Sequence, residues 1–300
     1  LMQKAVQSGI FRPDRLRGRG AWIDDGRAVV HFGPEVYVDG VPSRPSDVKS
    51  EYLYEAGAPL NLRREQPATT AEANKLVDIC SRLTWENPLS AQLLAGWCVI
   101  APVCGALDWR PHIWVTGPAS AGKSTVMKQI IGRVVGPVAL YMEGTSSEAG
   151  LRQSLIMDAR PVIFDEAESE DKQQAIMMQK VIGLARIASS GGEIVKGSQD
   201  GDAKTYTVRS CFCFSSINTG VSHYADETRI SKLVLRRNEA PDAKQHYEDL
   251  KRDIAAWMTS DYAAKMFARS VANITTLLEN SRTFTDAADV VVGNRRAADQ

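Results

Sequence analysis

Residues 117–124 read GPASAGKS, a glycine-framed turn that ends in Lys123 and Ser124. The apolar run HIWVT precedes it and the helical pattern STVMKQIIGRVVG follows it. A short strand that turns through such a loop into a helix belongs to a parallel sheet covered by helices, and few other folds accommodate it. The glycines let the backbone bend so that successive N–H groups converge on an anion, and the helix N-terminus adds partial positive charge. Lys123 then reaches the outer phosphates of a nucleoside triphosphate, and Ser124 offers a hydroxyl to Mg²⁺. Gly117, Pro118, Ala119, Ser120, Ala121, Gly122, Lys123, Ser124 and Thr125 are therefore candidate ATP-binding residues, with Ser124 also on the metal. The bland alternative is a chance glycine-rich turn, which the strand and helix on either side disfavour.

From His112 onward, short apolar runs alternate with helical segments: HIWVT, PVALYM and PVIFDE, with STVMKQIIGRVVG and SSEAGLRQSLI between them. This alternation predicts an α/β sheet of parallel strands. A helix over about residues 170–188, a hairpin-like stretch, the strand SCFCFSS and a last strand ISKLVL complete that part, and from residue 243 only helices are predicted. Residues 1–67 lack helical periodicity. Asp25-Gly26 between two apolar runs predicts a hairpin, and VPSRPSD predicts a loop. Helical spacing begins with Thr70 as the expected N-cap. Residues 89–107 carry no charge and approach the length of a membrane span, but Gln92, Pro102 and the nearby strand favour a buried helix pair. The expected division is 1–67, small and β-rich; 68–110, helical; 111–240, the ATPase core; and 241–300, a truncated helical subdomain.

Three further positions bear on chemistry. Asp165 and Glu166 follow the apolar run Val162-Ile163-Phe164, so they sit at the C-terminal end of a buried strand, where ligands of such sheets bind. Asp165 is the expected Mg²⁺ ligand and Glu166 the base for the attacking water. Alone they would read equally well as two solvated acids opening a loop. Asn218 follows the strand SCFCFSS, where an amide can position that water; a turn asparagine is the bland reading. Arg229 lies between a short helix and the last strand, a place that by itself means little.

Lys plus Arg total 36 and Asp plus Glu total 36, so the chain as a whole presents no field for a polyanion, although a local basic element still can. The five cysteines show no CxxC spacing and none pairs with the four histidines at zinc spacing, which predicts buried, reduced thiols in a cytoplasmic protein. The start LMQKAVQSGIFRPD is no signal peptide. A first residue other than methionine and an end at RRAADQ read as a fragment excised from a longer chain.

The order P-loop, acidic pair, asparagine after the next strand and arginine before the last one resembles the AAA+ ATPases. The hairpin-forming stretch EIVKGSQDGDAKTYTVRS ahead of the asparagine strand resembles the pre-sensor hairpin of superfamily III and MCM-like helicases. Together with EGTSSEAGLRQSL, RPVIFDEAE and CFCFSSIN, it looks like the helicase part of phage and mobile-element primase-helicases related to the poxvirus type. That resemblance implies a sheet of order 5-1-4-3-2, a ring (a hexamer above all), ATP and Mg²⁺ between subunits, and single-stranded or forked DNA as partner. It also implies a primase domain upstream and a place in DNA replication in a bacterial host cytoplasm, away from membranes. Lys123 and Ser124 would be Walker A, Asp165 and Glu166 Walker B, and Asn218 sensor 1. Arg229 would be an arginine finger acting in trans, with Lys196 and Lys204 gripping DNA in the pore. Arg269, Arg295 and Arg296 compete as a sensor-2 arginine. The rival function is an AAA+ ATPase that loads or remodels proteins on DNA.

Overall fold

The paired left-handed residues Asp25 (φ 52°) and Gly26 (φ 73°) reverse the chain between two of its first strands, the tight geometry that a two-residue hairpin of right-twisted strands requires. The computed structural model describes residues 15–143, 146–165, 167, 172–197, 203–217, 219, 224–293, 295 and 298; side chains of 195–197, 203, 204, 224 and 225 lie outside that description. After β1 (Leu16–Arg17), the strands β2 (Gly20–Asp24), β3 (Arg27–His31), β4 (Val36–Val38) and β5 (Val41–Ser43) form an antiparallel meander, and β6 (Leu53–Tyr54) returns to pair with β1. The stretch expected to be a loop, VPSRPSD, instead supplies edge strand β5 and a 3₁₀ turn at Pro45–Asp47. Pro42 is tolerated there because an edge strand needs no N–H on its outer side.

Helix α1 (Thr70–Ser81) is capped by Thr69, one residue ahead of the expected Thr70. The Glu72 amide donates to Thr69 Oγ1 at 3.2 Å and the Thr69 amide donates to Glu72 Oε2 at 2.7 Å. This reciprocal box satisfies two otherwise orphaned helix-end donors. The uncharged stretch 89–107 forms one helix, α2 (Leu89–Ile100), and a 3₁₀ turn, Ala101–Val103, rather than a helix pair. Pro102 lacks the N–H that a continuing helix would use. Leu94, Ala95, Trp97 and Cys98 are buried on it, and no helix among the described residues is long and apolar enough to cross a membrane.

Strand β7 (His112–Thr116) leads through the P-loop into α3, whose turns are π-helical over Thr125–Ile131 and α-helical over Gly132–Val134. Then come β8 (Leu140–Glu143), α4 (Glu148–Leu155), β9 (Val162–Asp165) and α5 (Lys172–Ser190). The hairpin β10 (Glu193–Gly197) and β11 (Ala203–Thr207) follows, then β12 (Phe212–Ser216), α6 (Tyr224–Glu227) and β13 (Ile230–Val234). The five core strands lie in the order β13-β7-β12-β9-β8, all parallel; counted from the P-loop strand this is 5-1-4-3-2. Their residues alternate between two cores. Ile113, Val115, Ile163, Cys213 and Leu233 join α2 and α3 on one face, while Trp114, Val162, Phe164, Phe212 and Phe214 join α5 on the other. The period of two is what a sheet buried on both faces demands. All five cysteines are buried and unpaired, and burial holds their thiols protonated.

Helices α7 (Ala243–Trp257), α8 (Ser260–Ala272) and α9 (Ile274–Val292) end the description. Leu250 and Ile254 bury α7 in the first core, beside α3. Helix α8 is tied to the linker before α1, because the Ala68 amide donates to the Lys265 carbonyl and Tyr262 Oη donates to the Glu72 carbonyl.

Candidate active site

The P-loop crosses the end of β7 under close constraint. Gly117 has φ 149°, and a Cβ there would lie 2.5 Å from the Leu235 carbonyl oxygen just past β13. Only glycine lets the loop start flush against the neighbouring strand. Ser120 (φ 64°) and Gly122 (φ 103°) complete the bend. Lys123 Nζ donates to the Gly117 carbonyl at 2.6 Å and to Pro118 at 3.2 Å, so its ammonium is held over the mouth of the loop.

Ala119 to Thr125 form one wall of a cleft of about 780 Å³. Arg82, Leu83 and Thr84 from the α1–α2 connection form a second wall; Arg236, Arg237 and Asn238 after β13 and the first turns of α7 close it. Arg237 Nε donates to the Ala119 carbonyl at 3.0 Å. Tyr247 Oη lies 3.0 Å from Thr125 Oγ1, and His246 Nε2 lies 2.8 Å from the Arg82 carbonyl, so α7 is fastened to both other walls. Lys123, Arg237 and Lys244 all line the cleft, whose size and positive lining suit a polyphosphate.

Asp165 ends β9, two strands from β7 and at the same edge of the sheet, since Phe164 pairs with Phe214 and Trp114 with Phe214 in register. At a strand spacing of about 4.8 Å, its backbone is roughly 10 Å from that of β7, a gap that side chains and a hydrated cation can bridge. Ser124 and Asp165, put forward in the sequence as Mg²⁺ ligands, are thus both at the P-loop edge of the sheet. Glu166 lies outside the described residues. Its neighbour Ala167 is buried and donates its amide to the Ser215 carbonyl at 2.8 Å. Asn218 is likewise outside the description. Ile217 before it lines the cleft, and its carbonyl accepts from Thr116 Oγ1 at 2.7 Å.

Arg229 is at the other end of the sheet. Ile230 pairs with His112, so Arg229 stands at the foot of β13 while the P-loop leaves the head of β7. Five residues at about 3.3 Å each put roughly 16 Å of strand between them. Its guanidinium lies 5.9 Å from the centre of the Trp109 ring. The turn before it is held by buried Asp226, which accepts from Arg186 at 2.7 Å and whose carbonyl accepts the Arg229 amide at 3.0 Å. Lys196 and Lys204 are opposite one another in the β10–β11 ladder.

Neither described sensor-2 candidate reaches the cleft. Arg269 donates to the Ala68 carbonyl at 2.8 Å and to Thr70, and Arg295 pairs with Asp286 at 2.5 Å; Arg296 lies outside the description. Besides Lys123, the cations that do line it, Arg82, Arg236, Arg237 and Lys244, went unread in the sequence. One signal was available: two arginines directly after a strand that neighbours the P-loop strand must lie beside the loop.

No family model matches the chain, and no curated protein matches it. Among solved structures it is similar to JCV helicase with a bound inhibitor (13% identity, TM-score 0.40), over 75% of this chain and 66% of that one. It is also similar to the apo C-terminal region of NrS-1 (11% identity, TM-score 0.44), over 89% of this chain and 74% of that one. So loose a likeness leaves the chemistry of the cleft to be argued from its own residues.

Proposed function

We propose that this chain is the motor domain of an ATP-driven DNA helicase of the AAA+ class, hydrolysing ATP at the interfaces of a ring and translocating on single-stranded DNA. The observation that carries the reading is the sheet edge itself: a glycine-constrained P-loop with Lys123 over its mouth, opening on a cleft lined by cations, and Asp165 at the same edge two strands away. The P-loop amides and Lys123 hold the β- and γ-phosphates, with Arg237 and Lys244 as further cations facing the same cleft. Ser124 and Asp165 would hold Mg²⁺, which would supply neutralising charge at the polyphosphate. Glu166 takes the proton of the attacking water, and Asn218 orients that water. Arg229 faces away from its own P-loop by the length of the sheet, which suits a residue that stabilises transition-state charge in a neighbouring subunit. The β10–β11 hairpin, with Lys196 opposite Lys204, suits a loop that meets phosphates singly and releases them.

The test is ATP turnover with and without oligo-dT, together with unwinding of a forked duplex. Turnover that rises with DNA and strand separation that stops in Glu166→Gln support the motor. Turnover indifferent to DNA, with no unwinding, would replace it with a protein-remodelling ATPase.

A further inference from the structure

At the foot of the sheet, where the hairpin is rooted, Arg15, Arg17 and Arg209 line one cavity of about 390 Å³. Glu193 opens β10 and Thr207 closes β11, and both belong to its wall, as do Trp22 and Tyr52 from the N-terminal region. Arg17 is fixed in place. Its guanidinium lies 3.4 Å from the centre of the Tyr52 ring and 4.9 Å from that of Trp22, and it donates to the Ile23 carbonyl and to Tyr54 Oη. Arg110, fully buried next door, donates to the Leu107 and Ser189 carbonyls. Arg209 stands between these two cations, is half-buried, and is pushed toward losing its proton by burial first and by Arg17 second. Among the described residues, no carboxylate or carbonyl is bonded to the Arg209 or Arg15 side chain. Arg19 stands apart from this group, since Asp158 accepts from both its Nε at 2.9 Å and its backbone amide at 2.7 Å.

Like charges gathered in a partly desolvated cavity raise the energy of the fold unless an anion neutralises them. We propose that this cavity binds a phosphodiester of the single-stranded DNA backbone, with Arg209 and Arg15 as its ligands and Arg17 as a fixed positive wall. The assignment rests on the motor reading above. Two acids, Glu51 and Glu193, share the cavity. Three arginines against these two acids leave a net lining charge of about one, which a singly charged backbone phosphate neutralises. The position also fits: a strand held by the hairpin passes its root, where the cavity lies.

The test is the anisotropy of a labelled oligo-dT titrated with the full chain over a series of salt concentrations. Each phosphate contact contributes about 0.7 to the slope of log affinity against log salt for a single strand. Arg209→Gln and Arg15→Gln should each lower the slope by about that amount per subunit, and Arg209→Lys should keep it. Basal ATP turnover should be unchanged in all three. Arg209→Gln should melt no lower than wild type, because it removes one of several like charges; a purely structural arginine would give a lower melting temperature. Wild-type binding with unchanged slopes in both glutamine variants overturns the cavity and leaves the motor standing. Absent binding by wild type overturns the motor and the cavity with it. Inorganic phosphate that competes as well as oligo-dT, tested in Lys123→Ala to silence the P-loop, overturns the phosphodiester in favour of a free-anion site.

Discussion

His112 sits at the first position of the P-loop strand and is fully buried. Its Nε2 donates to the Ala185 carbonyl at 2.7 Å, with Ser189 Oγ at 2.9 Å, and its Nδ1 accepts the Phe212 amide at 3.0 Å. Burial above all lowers its pKa from 6.5 to about 3; the hydrogen bond to the Ala185 carbonyl opposes it, and the positive charges of Arg110 and Arg229 add smaller lowering effects. The folded state therefore holds a neutral imidazole that the unfolded chain protonates below its ordinary value. Stability is full above that value and is lost as pH falls, at up to about 1.4 kcal/mol per pH unit. Between pH 7 and pH 5 the loss integrates to about 2 kcal/mol, which is roughly 4 °C of melting temperature for a chain of this size. The assay is thermal unfolding of wild type and His112→Gln at both pH values. The variant starts less stable but should lose about 4 °C less on acidification. His31, whose pKa burial also lowers, acts equally in both proteins and cancels in the difference. Parallel pH dependences would refute the argument, because they would mean that His112 binds its proton alike in both states.

Lys123→Ala should abolish binding of a fluorescent ATP analogue, while its melting temperature stays near that of wild type. Glu166→Gln should bind the analogue as tightly as wild type and turn ATP over ~10²–10⁴-fold more slowly, measured by phosphate release; turnover near wild type would place the base elsewhere, Glu168 being the next acid along. Arg229→Ala should bind nucleotide yet fail to hydrolyse it, and mixing it with Lys123→Ala should restore part of the activity; no recovery at any ratio in exchanging assemblies would end the role in trans. Gly117→Ala should cost about 1–3 kcal/mol by unfolding and weaken nucleotide binding, since its Cβ would meet the Leu235 carbonyl at 2.5 Å.

Much of this architecture is legible from residue order, because each signal is local. The apolar runs HIWVT and PVIFD become strands β7 and β9, and Asp25-Gly26 becomes a turn because both residues tolerate positive φ. The Thr69 cap was equally local, since Glu72 stands three residues after Thr69 and not after Thr70. The other cleft walls were not legible. His246 and Tyr247 reach Arg82 and Thr125 across more than 100 residues of chain, an apposition set by how α7 buries Leu250 and Ile254 beside α3. No periodicity in α7 announces which of its polar residues will face a phosphate site. Arg269 teaches the complementary lesson: a basic residue read as a contact for nucleotide can be consumed inside the fold, here by the Ala68 carbonyl.

The strand-length gap between Lys123 and Arg229 carries a kinetic consequence. If Arg229 serves a neighbour, as proposed, a lone molecule holds two half-sites that can never meet, and dilution alone silences it. Turnover per molecule then climbs with protein concentration until every foot of β13 faces another molecule's P-loop, and the apparent order in enzyme exceeds one. A cell could set this activity through abundance, with no inhibitor and no modification. A small excess of a copy lacking both Lys123 and Arg229 would poison the rest, because each one spoils the sites on both of its flanks.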